Sequence, residues 1–176
     1  MILLLAIFLA GCSLPHSIPE LWSPRLTETP ASDTAYTECG WNWASQALPN
    51  LSAEVQAAME SAGLTGVTAV AEAYGENCLT GSGEVDHFAA METDFRIRLE
   101  VPDLADTAAL GRQLERILVV LDAFPPESTP GPQPGYIGVR FIEGAQEISL
   151  WFTVTHGVSA RAQGLHGYEL FLELQK

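Results

Sequence analysis

Apolar and polar positions recur with two different periods along this chain. Val55, Ala58, Met59 and Ala62 fall at helical spacing behind Asn50, Leu51 and Ser52, with Glu54 in the first turn and Gly63 placed to cap the end. That pattern predicts a helix with one core-facing stripe. Val67 to Cys78 alternates loosely and predicts a strand, and the Gly-, Ser- and acid-containing stretch Thr80 to Val85 predicts a turn. Phe95, Ile97, Leu99 and Val101 then alternate with Arg96, Arg98 and Glu100, the mark of a half-buried strand that Pro102 ends. Asp103 and Asp106 can cap a second helix whose stripe is Leu110, Leu114, Ile117, Leu118 and Leu121, stopped by Pro125-Pro126. Residues 125–135 hold five of the eleven prolines and predict a stiff, exposed loop. Tyr136 to Ile142 and Ile148 to Val154 predict a hairpin turning at Glu143 to Gln146, with Ile148, Leu150, Phe152 and Val154 on one face and Ser149, Trp151 and Thr153 on the other.

The tail from Ser159 to Leu174 fits two patterns. Leu165, Tyr168 and Leu172 make a helical stripe opposite His166, Glu169 and Glu173, whereas Tyr168, Leu170, Leu172 and Leu174 alternate as a strand would. Gly164 and Gly167 weigh against a helix, but its polar face is the cleaner of the two, so a C-terminal helix is expected. The order helix–strand–strand then occurs twice, as in a duplicated αββ unit. Each strand pair has one apolar face. The expected fold is therefore α+β: a four-stranded, mostly antiparallel sheet with two helices on one face, plus the C-terminal helix.

Residues 2–10 are nine consecutive apolar positions, too few to span a bilayer but suited to the apolar core of a signal peptide. Leu9-Ala10-Gly11-Cys12 follows and resembles the lipobox of bacterial lipoproteins. The resemblance covers about thirteen residues and departs from the family pattern in one respect: no Lys or Arg precedes the apolar run. It implies cleavage before Cys12, acylation of that cysteine, and a mature protein exported and lipid-anchored to the cell envelope. Two or three acyl chains hold a protein stably where one does so only marginally. Residues 1–11 are then a signal peptide. Residues 12–36, with Pro15, Pro19, Pro24 and Pro30, form a tether, and residues 37–176 a single globular domain. The plain alternative is a buried N-terminal helix with an incidental cysteine.

Charge narrows the partners. Eight Lys and Arg against 22 Asp and Glu give a net charge of −14. Such a surface repels phosphate backbones, so nucleic acid is not an expected partner, and no basic patch is available for anionic lipid. The membrane contact expected is the N-terminal lipid alone.

Candidate chemistry is sparse. Once Cys12 is acylated, Cys39 and Cys78 remain as a pair in an oxidising compartment, which predicts a disulfide. His16, His87, His156 and His166 lack metal-ligand spacing; a site built from His156, His166 and a distant carboxylate is the alternative to solvated loop histidines. Arg96 and Arg98 share the solvent side of their strand with Asp94 and Glu100, and Arg140 alternates outward in the same way. The simplest reading is a charge-compensated sheet face; the functional one is a concavity in which arginines hold an anionic ligand. Trp41, Trp43 and Trp151 either pack around the disulfide or form a stacking platform for a sugar or a partner's apolar surface. No nucleophile elbow, P-loop, dinucleotide fingerprint, zinc-finger or EF-hand pattern occurs, and no cofactor is expected. The function this favours is a non-catalytic envelope lipoprotein that binds a small molecule or a protein partner. The alternatives are an anchored hydrolase using His87 or His156 with a carboxylate, and an accessory subunit docking through a sheet edge or the Pro-rich loop.

Overall fold

A computed structural model describes residues 38–176; Cys12, the signal segment 1–11 and the tether 12–36 lie outside the described residues. The chain runs β1 (Gly40–Ala47), α1 (Pro49–Ser61), β2 (Val67–Leu79), β3 (Val85–Glu100), α2 (Thr107–Leu121), a single 3-10 turn (Pro126–Ser128), β4 (Gln133–Glu143), β5 (Gln146–Thr153), α3 (Val154–Ala162) and α4 (Gly167–Leu174). The class is α+β, as the patterning predicts. Instead of four strands the sheet has five, in the order β1-β2-β3-β4-β5, and it is mixed: β3 and β4 run parallel, every other neighbouring pair antiparallel.

One face of the sheet is the core. Val67, Ala69, Ala71, Phe95, Ile97, Leu99, Ile137, Val139, Phe141, Leu150 and Phe152 are buried there, against Val55 and Met59 of α1, the full predicted stripe of α2, Ala160 of α3, and Leu170, Phe171 and Leu174 of α4. All four helices thus cover the same face, where two plus a tail helix were expected. Helix–strand–strand does occur twice, as α1-β2-β3 and α2-β4-β5. Yet β4 follows the direction of β3, so no translation or rotation that keeps both helices on one face lays the first unit onto the second.

Local chemistry explains the element ends. Asp106 caps α2 by accepting the amide of Ala109 at 2.8 Å, and Gly63 leaves α1 with a φ of 77°. Thr153 caps α3 through the amide of His156, so Val154 begins a helix where the hairpin pattern made it the end of a strand. The tail divides at Gly164 (φ 78°) into α3 and α4. The buried residues of α4 are Leu170, Phe171 and Leu174, while Tyr168 and Leu172 of the expected stripe face solvent. The Pro-rich stretch is exposed for most of its length but is fastened to β3, where the Thr93 hydroxyl donates to the Pro130 carbonyl at 2.7 Å.

β2 is longer than its neighbour β1, which covers only Glu72 to Leu79. Along the uncovered half, α1 supplies side chains in place of a strand. The Ser52 hydroxyl accepts the Ala71 amide at 2.9 Å; the Gln56 carboxamide accepts the Ala69 amide at 2.7 Å and donates to the Val67 carbonyl at 3.0 Å. Backbone groups that a missing strand would orphan are satisfied this way.

Candidate functional site

Among the described residues, no helix covers the other face of the sheet. Two rows of residues cross it in register. One is Thr68, Arg98, Arg140 and Ser149, on β2, β3, β4 and β5 in turn; the next is Val70, Arg96, Gly138 and Trp151. Together with Glu72 they line a concavity of about 520 Å³. Arg96, Arg98, Arg140 and Trp151, four of the candidates named from sequence, therefore meet in one place. Trp41 and Trp43 do not line it.

The indole of Trp151 lies down across Gly138. A Cβ at residue 138 would come within 2.5 Å of the indole Cζ3, so only glycine leaves that space. The ring extends far enough to sit 5.7 Å from the Arg96 guanidinium, and Tyr136 stacks on it nearly parallel, with centroids 5.6 Å apart. Trp151 nonetheless remains 53% exposed.

The arginines are compensated unequally. Arg96 pairs with Glu72 at 3.0 Å, and Arg140 stands 3.7 Å from Glu147. Asp94 and Glu100, the neighbours that alternation alone offered as counter-charges, pair with neither. Among the described residues the Arg98 guanidinium has no ion pair and no hydrogen bond. It also stands directly opposite Arg140 in the β3–β4 ladder, and like charges so placed destabilise a sheet. Asp94 departs from expectation too: it points to this side but is only 7% exposed, with Oδ1 accepting the Tyr136 amide at 2.8 Å. Burial raises its carboxyl above the ordinary range; the Tyr136 amide and the Arg96 charge pull it part of the way back, and Glu72 pushes it up. Glu92 is raised as well, by desolvation first and by Asp94 second.

The remaining candidates lie elsewhere. Cys39 and Cys78 are joined in the expected disulfide. Trp41 stands opposite Cys78 in the ladder and meets His87 edge-on, and Trp43 stacks on Tyr74 at 5.4 Å. Packing beside the disulfide, rather than a platform shared with Trp151, describes Trp41. His87 Nδ1 bonds Asp86 at 2.8 Å and lies close to both sulfurs, which are already spent on each other. His156 bonds Glu173 and His166 bonds Glu115, so the two are held to different carboxylates and form no cluster among the described residues. Hydrogen bonds from Lys176 and His156 lower the Glu173 carboxyl below its usual range.

Residues missed from sequence are Glu72, Val70, Thr68, Gly138 and Tyr136. The alternation of β2 turns Thr68, Val70 and the half-buried Glu72 away from the core, which is the signal that could have found three of them. No family model matches the chain, and neither a curated protein nor a solved structure is significantly similar to it.

Proposed function

We propose that this chain is an exported, lipid-anchored envelope protein that binds its ligand non-catalytically on the open face of the sheet. The observation that carries the binding half is Arg98: a guanidinium unpaired among the described residues, facing a second one, inside a concavity floored by an exposed indole. The export half is supported by the lipobox resemblance at Cys12, and the Cys39–Cys78 bond is consistent with an extracytoplasmic location. Among the described residues no helix is long and apolar enough to cross a membrane. Neither His87 nor His156 approaches the concavity, so nothing here favours the hydrolase reading over binding.

The experiment is a thermal-shift screen of small anions on the full chain and on Arg98→Gln. An anion that raises the melting temperature of the wild type and not of the variant supports the seat. Anions that shift both equally argue for a merely solvated face. The anchor is tested separately: Cys12→Ala should yield an unprocessed precursor without acyl label, and normal labelling of that variant would end the lipoprotein reading.

A second reading, an accessory subunit, draws on β1. This edge strand, Gly40-Trp41-Asn42-Trp43-Ala44-Ser45-Gln46-Ala47, carries no charge and is exposed along almost its whole length, whereas edge strands are commonly guarded by charge. Ala44→Lys should abolish envelope cross-links made through this edge and leave anion binding intact.

A further inference from the structure

We propose that the open-face concavity takes a small oxyanion borne on a planar ring. This rests on the reading that the face is a ligand seat, and it names the chemistry of the occupant. The two rows of the concavity differ in kind. Thr68, Arg98, Arg140 and Ser149 offer hydroxyl and guanidinium donors; Val70 and Trp151, whose indole lies over Gly138, offer an apolar side chain and an aromatic face. Residues two apart on a strand are separated by roughly 7 Å, a span that one ring and its charged substituent can bridge.

Donor capacity is concentrated at one end. Arg96 is engaged by Glu72 and lies at the indole, so the available forks are Arg98 first and then Arg140, whose contact with Glu147 is long at 3.7 Å. A planar oxyanion between Arg98 and Arg140 would relieve their like-charge opposition, and guanidinium forks match carboxylate and phosphate alike. A bare anion would leave Val70 and the indole wetted. A neutral ring would leave the Arg98 guanidinium without a counter-charge among the described residues. Only an anion that carries a ring uses both rows. A volume of about 520 Å³ suits a small molecule.

Isothermal titration of the full chain, in mild detergent and phosphate-free buffer, tests this with two matched pairs: phenyl phosphate against inorganic phosphate, and benzoate against acetate. In at least one pair the ring-bearing member should bind tighter by about 2- to 10-fold, the usual worth of an aromatic contact. Arg98→Gln should weaken both members of that pair by roughly tenfold or more. Trp151→Leu should erase the ring advantage. Gly138→Ala, which lifts the indole without removing it, should do the same and guards against a folding defect peculiar to the Trp151 variant. Equal affinities within both pairs would overturn the ring and leave the anion seat standing. A ring advantage that survives both Trp151→Leu and Gly138→Ala would overturn it as well. Binding of long-chain polyphosphate with no response to the four small probes would replace it by a polyanion surface, and no binding of any anion would remove the seat itself.

Discussion

Reducing the Cys39–Cys78 bond should cost this domain a large part of its stability, and β1 should feel it first. The two cysteines are 39 residues apart in sequence. In the chain-entropy account, closing a loop of that size removes about 4 kcal/mol of freedom from the unfolded chain. Total stabilities of small domains are about 5–15 kcal/mol, so the bond would be a substantial share. Its second effect is local. No residue of β1 belongs to the core, and the strand is held by its ladder to β2, the Trp43–Tyr74 stack and the disulfide. Reduction is preferable to mutation, because it breaks the cross-link and takes no atoms from the fully buried Cys78. Urea unfolding with and without a phosphine reductant should show a lower midpoint for the reduced protein. The m-value should be larger, because the uncrosslinked denatured chain is more expanded. Under native conditions, amide exchange across Gly40–Ala47 should quicken on reduction by more than that of Phe95 to Leu99. An unchanged midpoint, with alkylation proving both thiols free, would refute the reasoning. Uniform loss of protection across the sheet would refute the local half alone.

Three further outcomes follow from packing and charge. Gly111 of α2 is pressed on Gly167, where a Cβ would lie 1.8 Å from the carbonyl oxygen; Gly111→Ala should therefore lower stability by about 1–3 kcal/mol in chemical denaturation, despite roughly 1 kcal/mol of gained helix propensity, and a neutral result would show that α4 moves freely. Gln56→Ala should cost about 1–2 kcal/mol by stripping two hydrogen bonds from the uncovered half of β2, with faster exchange of the Ala69 amide as its local sign; unchanged exchange there would count against the bracing role. Asp94 has a folded pKa above its ordinary 3.8, so the native state holds that proton more tightly than the unfolded chain, and its contribution to stability falls as pH rises from 3.8 through the raised value. Asp94→Asn keeps an oxygen for the Tyr136 amide, so the stability of wild type relative to the variant should decline across that window and then level; a difference that grows with pH would reverse the sign and the argument.

Much of the fold was legible because its periods are strong. The α2 stripe of Leu110, Leu114, Ile117, Leu118 and Leu121 is buried in full, and the alternation from Phe95 to Leu99 marks a strand buried on one side. The disulfide followed from an even remainder of cysteines. β1 escaped notice because Gly40 to Ala47 buries neither face: with nothing apolar turned inward there is no alternation to read, and pairing with β2 makes it a strand. The division of the tail was hidden because Tyr168 and Leu172 are apolar yet solvent-facing, so the stripe drawn through them pointed the wrong way. The site was half visible. Arg96, Arg98 and Arg140 show their side of the sheet by alternation alone, but that Arg98 faces Arg140 depends on a parallel register across a helical crossover, which no local pattern encodes. Gly138 could be read only as a weak strand residue until the indole lying over it was seen.

Why this face is open at all is a matter of topology. Strands β3 and β4 run parallel, so the chain between them must recross the sheet, and α2 makes that crossing on the core face where α1, α3 and α4 also pack. Among the described residues no helix covers the opposite face, and its exposed side chains must be compatible with water. A chain with 22 acidic and 8 basic residues has acids to spare for that purpose. Stability alone would favour an acid directly or diagonally across the ladder from each exposed arginine, as Glu147 is diagonal to Arg140 and Glu72 to Arg96. Arg98 breaks the pattern: Thr68 stands on one side of it and Arg140 on the other, and no carboxylate reaches it among the described residues. A repair that supplies a carboxylate, Thr68→Glu, is one substitution away. Thr68→Glu should accordingly raise the melting temperature slightly by neutralising Arg98, and should abolish anion binding in the same protein. Stabilisation without loss of binding would mean that Arg98 is a surface charge with no occupant to serve.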